Sequence, residues 1–199
     1  MTKSQINPEG KIFVFSAPSG AGKNTLINFV RKAIPEMVYS ISATTRSPRV
    51  GEVAGRDYFF LTEEEFRRRI REGGFAEWAL VHGHYYGTPR NPINATILAG
   101  RHVIMDIDVV GKIKFDNAYP RAIGILILPP SLEVLENRLR ARGSDDEKTI
   151  QLRMINARRE IEFAKTQGKY EYTIVNDDLA AAENETLTLI RSLASRADT

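Results

Sequence analysis

The chain has 199 residues, of which 42% are hydrophobic and 27% charged, enough apolar content to bury one core behind an ordinary polar surface. No apolar run approaches the roughly 18 residues a bilayer-spanning helix needs; the polar start over 1–10 lacks a signal peptide's apolar segment, and without cysteine there are no disulfides or thiolate metal sites, which fits a reducing compartment, the cytoplasm. The formal net charge of +3 and pI of about 9.2 come from separated arginine clusters rather than one basic stripe, so no membrane and no nucleic acid is the expected partner, and the clusters are free to converge on the phosphates of a small ligand.

In chain order, the apolar run over 11–16 reads as a buried strand, followed by a Pro/Gly-rich turn and a helix over 25–34 that Pro35 ends. The texture then changes. Short strands over 40–42, 58–61 and 78–82 are separated by Arg, Gly and Pro, with one helix over 63–72 opened by a capping box, Thr62 with Glu65. A helix over 92–99 ends at Gly100, after which strands over 102–107 and 122–128, helices over 131–142 and 147–166, a strand over 172–175 and a helix from 178 restore an alternating pattern. The fold class expected is α/β: a parallel sheet with helices on both faces and a partly antiparallel lobe inserted after its first helix. Ligands bind such sheets beyond the carboxyl ends of the strands.

The turn after the first strand, Ala17-Pro18-Ser19-Gly20-Ala21-Gly22-Lys23-Asn24-Thr25, approximates the phosphate loop G-x-x-x-x-G-K-[ST] between a strand and a helix. Backbone N–H groups and the helix N-terminus would surround phosphates there, with Lys23 reaching the β- and γ-phosphates. Two positions depart from the pattern. Ala17 replaces the first glycine, and Asn24 replaces the hydroxyl that normally meets Mg²⁺, so its amide oxygen would bind the metal weakly or through water. The alternative is a Gly-rich turn without ligand.

The blocks that follow are Ser42-Ala43-Thr44-Thr45-Arg46-Ser47-Pro48-Arg49, Gly51-Glu52-Val53, Asp57-Tyr58, Phe75-Ala76-Glu77-Trp78 and Gly83-His84-Tyr85-Tyr86-Gly87-Thr88. Further on stand Asp106-Ile107-Asp108, Leu128-Pro129-Pro130-Ser131, Arg138-Leu139-Arg140-Ala141-Arg142-Gly143 and Val175-Asn176-Asp177-Asp178. In this order, after a phosphate loop, they closely resemble the guanylate kinases from about Gly10 to beyond Asp178. The resemblance implies a P-loop NTPase-like domain over 1–199, with a core over 10–38 and 92–199, an inserted GMP-binding lobe over about 39–91 and a lid over about 138–160. It also implies transfer of the γ-phosphate of ATP to GMP or dGMP with Mg²⁺, by a monomer or a homodimer.

The residue chemistry agrees. Arg46 and Arg49 can present forked donors to one phosphate, although alone they would read as a solvated pair. Tyr58 and Tyr86 add neutral O–H donors, while Tyr85 suits core packing. An ionised Glu77 only accepts, which suits the N1–H and N2–H₂ edge of guanine; beside Trp78 it would otherwise be a strand's exposed face. Ser42 and Thr88 match positions that contact the base. Asp106 and Asp108 end an apolar strand in a Walker-B-like arrangement, Asp106 facing the metal and nucleotide and Asp108 nearer the acceptor or capping the next helix. Val110 stands where the resemblance leads one to expect Gln. Arg138, Arg142 and Arg153 match lid arginines, and Asn176 matches a position beside the adenine unless it only serves a capping turn. Arg140, Arg158 and Arg159 read as solvated or salt-bridging residues.

Two other readings keep the same motifs. A non-catalytic interaction module would use the inserted lobe to bind a protein, and a related kinase would phosphorylate a ribose bisphosphate. Glu77, Ser42, Tyr86 and Thr88 together favour guanine.

Overall fold

A computed structural model describes residues 10–143 and 145–195, so the polar start over 1–9 and Ser144 lie outside the described residues. The central sheet is parallel throughout, in the order β2-β7-β1-β8-β9, with β1 Ile12–Ser16, β2 Val38–Tyr39, β7 Val103–Asp106, β8 Ile123–Leu128 and β9 Tyr172–Val175. Every residue of β1 is buried because both of its faces are covered. The period-two alternation of a strand divides its side chains between two cores. Phe13 and Phe15 pack with Leu26, Ile27 and Val30 of α1 (Lys23–Ala33) and Ile190 and Leu193 of α7 (Leu179–Ser195). Ile12 and Val14 pack on the other side with Ile93 of α3 (Arg90–Leu98) and Phe115 of α4 (Val109–Ala118).

A second sheet, in the order β4-β3-β6-β5, comprises β3 Ala43–Thr44, β4 Phe59–Phe60, β5 Phe75–Val81 and β6 His84–Pro89. Strands β5 and β6 form a hairpin whose two turn residues, His82 and Gly83, have φ of 49° and 80°, the left-handed pair a type I′ turn requires. Helix α2 (Glu63–Arg71) opens on Thr62, whose hydroxyl accepts from the Glu65 N–H at 3.2 Å. Its Phe66 stacks on Phe75 at 4.2 Å and Tyr85 at 5.3 Å between centroids, closing a small core of its own. Helices α5 (Leu132–Ala141) and α6 (Glu147–Thr166) pair through Leu135, Leu139, Ile150, Met154 and Ala157. Among the described residues no helix is long and apolar enough to cross a membrane.

Three elements differ from expectation. The strand expected over 40–42 is instead the passage between the sheets: the Ser40 N–H donates to Ile104 of the first and the Ser42 carbonyl accepts from Phe59 of the second, each at 2.9 Å, and the strands themselves end at Tyr39 and begin at Ala43. Residues 84–89, read only as motif, are a strand that gains its identity from its partners β3 and β5. The segment after Asp108, given no bounds beyond a helix that Asp108 would cap, is the helix α4.

Candidate active site

The turn leaving β1 carries Gly20 at φ 95° and Gly22 at φ 93°, conformations that cost L side chains a steric clash. Gly22 has a second reason. A Cβ there would lie 2.2 Å from Asn176 Nδ2, which donates to the Ala21 carbonyl at 2.8 Å. Asn176 is thus buried against this turn, its Nδ2 spent on Ala21 and its Oδ1 without a hydrogen-bond partner. The loop residues 17–25 line a cavity of about 350 Å³ together with Asp106, Arg142 and Glu160. Gly22 heads α1 with no side-chain cap and no acidic residue in the first turn, so the helix N-terminus is left for an anion.

Lys23 Nζ donates to one oxygen of Asp106, and the Tyr39 hydroxyl donates to the other. Burial raises the Asp106 pKa, but the Lys23 charge and both hydrogen bonds outweigh it and hold the carboxyl below its ordinary range. Burial and the Asp106 charge push Tyr39 upward, so it stays a donor.

A second cavity, about 370 Å³, lies between the two sheets and shares Asn24 and Asp106 with the first. Ser42, Tyr58, Glu77, Tyr86 and Asp108 line it. The Glu77 carboxylate accepts from the buried Thr88 hydroxyl at 2.6 Å. Burial pushes its pKa up to about 7 against the opposing pull of that hydrogen bond, with the Asp108 charge adding to the rise. Asp108 heads α4, one oxygen accepting from the Val110 N–H at 2.9 Å and the Gly111 N–H at 2.6 Å. Capping and lining are thus both true of it.

At the mouth, Arg46 is held by Glu52 through a fork at 2.8 and 3.0 Å, by its own reach to the Ser47 carbonyl at 2.7 Å and by Tyr86 Oη at 3.3 Å. Its guanidinium lies 5.5 Å from the centre of the Tyr58 ring. Glu52 also accepts from the Arg49 N–H at 2.7 Å, and its bonds to Arg46 and Arg49 hold it below the usual carboxylate range. The Arg49 side chain is exposed.

A family model described as guanylate kinase matches residues 9–193. The chain belongs to the guanylate kinase family. It is 45% identical to the guanylate kinase of Synechocystis sp., over 96% of this chain and 98% of that protein, and 47% identical to that of Thermosynechococcus vestitus, over 90% and 92%. The crystal structure of guanylate kinase from Anaplasma phagocytophilum superposes with a TM-score of 0.71 at 31% identity, covering 97% of this chain and 90% of that one.

Among the three lid positions that the family resemblance supplies, the structure brings only Arg142 to the phosphate-loop cavity. Arg138 donates to the carbonyls of Asn176 at 2.8 Å and Asp177 at 3.0 Å, and Arg153 pairs with Asp145 at 3.3 Å. Both have partners that a phosphate would have to outcompete. Arg140 bridges Glu136 and Glu147, each at 2.7–2.8 Å, as a salt-bridging residue. Sequence reasoning missed Tyr39, Glu52 as the partner of Arg46, and Glu160. For Glu52 a signal existed, an acid six residues after an arginine in a short loop; for Tyr39 and Glu160 the contacts span 67 residues or more and leave no local trace.

Proposed function

We propose that the molecule transfers the γ-phosphoryl group of ATP to the phosphate of GMP or dGMP, giving ADP and the diphosphate. The observation that carries this reading is the meeting of two cavities at Asn24 and Asp106, one walled by the phosphate loop and the other by an acceptor-only carboxylate with hydroxyls. Residues over 39–91 act as the acceptor lobe, those over 10–38 and 92–199 as the core, and those over 138–160 as the lid. Ala17 through Thr25 cradle the triphosphate, and Asn176 holds the cradle in shape.

Guanine is selected because an ionised Glu77 accepts from N1–H and N2–H₂, whereas adenine would present an acceptor at N1 to the same oxygens. Ser42 and Thr88 complete the base contacts, Thr88 by fixing Glu77. Arg46, Arg49, Tyr58 and Tyr86 receive the acceptor phosphate. That phosphate is already ionised near neutral pH, so no general base is needed, and the work is alignment and charge neutralisation. Lys23 leaves Asp106 for the β- and γ-oxygens, and Arg138, Arg142 and Arg153 neutralise the transferred group as the lid closes and water is excluded.

The donor set also bears on Mg²⁺. Asp106 spends both oxygens on Lys23 and Tyr39, Asn24 offers a neutral amide oxygen, and among the described residues no cluster of three His, Asp or Glu could hold a metal ion. Such a set fits a weakly protein-bound ion that Asn24 and Asp106 would help hold. When bound, it would supply positive charge that offsets the phosphates.

The test is ADP formation from ATP against GMP, dGMP, AMP, UMP and ribose bisphosphate, with and without Mg²⁺. Turnover confined to GMP and dGMP is expected. Silence with every acceptor in a folded protein would refute the kinase reading and favour an interaction module.

A further inference from the structure

Glu160, on α6, puts a carboxylate into the wall of the phosphate-loop cavity beside Lys23 and Arg142. A carboxylate in that position opposes the anion that the loop is shaped to hold. Its Oε2 is buried with no hydrogen-bond partner. Burial also holds its pKa above the usual range. A buried carboxylate oxygen without a donor is costly, so a donor that arrives when the cavity fills would recover that cost.

The cations nearby can be taken in turn. Lys23 is on Asp106, Arg138 on two carbonyls and Arg153 on Asp145. Arg142 lines the same cavity, and among the described residues its guanidinium has no partner. Its placement follows from the packing. Leu139 and Ala157 face each other in the α5–α6 core, and the Leu139 side chain also lies against Gly20 of the phosphate loop, 3.0 Å from where a Cβ would sit. Arg142 and Glu160 each come three residues later, one turn along the same side of their chains, so both point past that core toward the loop.

We propose that Glu160 is a positioning residue that receives the Arg142 guanidinium when a triphosphate fills the cavity, fixing that arginine over the transferred phosphoryl group. This rests on the assignment of Arg142 to the ATP side. The pair would neutralise the carboxylate in the presence of phosphate and turn the two side chains into one unit.

A double-mutant cycle tests it: kcat and the KM values for ATP and GMP in the wild type, Glu160→Gln, Arg142→Ala and the double variant, with the melting temperature of each nucleotide-free protein. Glu160→Gln keeps the side chain's shape and removes its buried charge, so its melting temperature should not fall below the wild type while kcat falls about tenfold, the loss expected for one charge-assisted hydrogen bond. The KM for GMP should not move, and the double variant should be no slower than Arg142→Ala. A normal kcat in Glu160→Gln, or the same loss from it in both backgrounds, would overturn the pairing while leaving Arg142 on the ATP side. A fully active Arg142→Ala would instead remove the assignment on which the pairing stands. If Glu160→Gln melts early, Glu160→Asp replaces it in the cycle, since its shorter arm keeps the charge and misses the guanidinium; the same coupling or additivity then decides.

Discussion

Lowering the pH from 8 to 6 should weaken GMP binding through a single side chain, Glu77. Its carboxyl sits at about 7 in the nucleotide-free protein because burial and the Asp108 charge outweigh the Thr88 hydrogen bond. Guanine requires the ionised form, since a protonated carboxyl would present its own O–H to the N1–H donor. The ionised fraction drops from about 0.9 at pH 8 to about 0.1 at pH 6, so Glu77 contributes about a tenfold loss of affinity over that range. The acceptor phosphate itself takes up a proton near pH 6, so titration calorimetry with GMP must be run in parallel on Glu77→Gln. The variant binds more weakly throughout, and its remaining pH slope reports the phosphate. A wild-type slope no steeper than that of Glu77→Gln would refute the assignment of Glu77 as the guanine acceptor.

The same side chain gives an independent reading without ligand. The unfolded carboxyl titrates near 4.5 and the folded one at about 7, so the folded state binds more protons between those values. Stability therefore falls as pH rises through that window, and above pH 7 the full cost of ionising Glu77 is present, at most about 3 kcal/mol. Glu77→Gln should melt above the wild type at pH 8, with the gap closing toward pH 4. A constant gap across that range would mean that Glu77 is not held in its raised state by the fold.

Three further outcomes follow from the contacts. Lys23→Ala should abolish GMP phosphorylation in a coupled ADP assay while circular dichroism stays unchanged, since Lys23 contributes charge at the cavity and little packing. Asn24→Thr restores a hydroxyl at the metal position and should lower the Mg²⁺ concentration giving half-maximal rate; an unchanged requirement would mean that residue 24 does not meet the ion's shell. Lys112 is fully buried, with its ammonium on Asp116 at 2.6 and 2.7 Å and on the Lys169 carbonyl at 3.0 Å. Lys112→Ala strands the half-buried Asp116 charge and should cost about 3 kcal/mol in urea denaturation, with kcat unaffected under native conditions.

What the sequence disclosed follows how locally each feature is encoded. The strand β1 and helix α1 announce themselves because a doubly covered strand must be apolar throughout and because the glycines between them serve one backbone shape. The extent of helix α4 was hidden for a physical reason. Its buried side consists of Val109, Gly111, Lys112 and Phe115, so a glycine and a paired lysine stand where an apolar stripe would otherwise show the period. The hairpin β5–β6 was hidden by its turn, where His82 takes a left-handed conformation more usual for Asn or Gly. The residues lining the second cavity stood in ordered blocks, yet the state in which the fold keeps them was not legible. The claim of Glu52 on Arg46 leaves only the trace of an acid six residues on, and nothing in a linear reading says that Arg138 spends its fork on backbone carbonyls.

Those claims have a common logic at the two phosphate positions. Lys23 and Arg46, which the proposed function puts on the ATP and acceptor phosphates, are each held by a carboxylate, Asp106 and Glu52. Both pairs are sheltered, with side-chain exposures of 19% and 28% for the first and 13% and 20% for the second, so neither is the freely solvated kind that contributes little. A carboxylate is a fair stand-in for phosphate: anionic, planar-forked and an acceptor only. Holding each cation on such a partner keeps its long side chain ordered near its working place, which lowers the entropic cost of binding. Part of each phosphate's attraction is then used to displace the carboxylate. Tyr39 moderates that exchange on the ATP side, since its hydroxyl still serves Asp106 after Lys23 departs. On the acceptor side the Arg49 backbone N–H still serves Glu52 after Arg46 turns away. Each carboxylate thus has a second donor that stays behind, so the two cations can change partners without leaving either acid uncompensated.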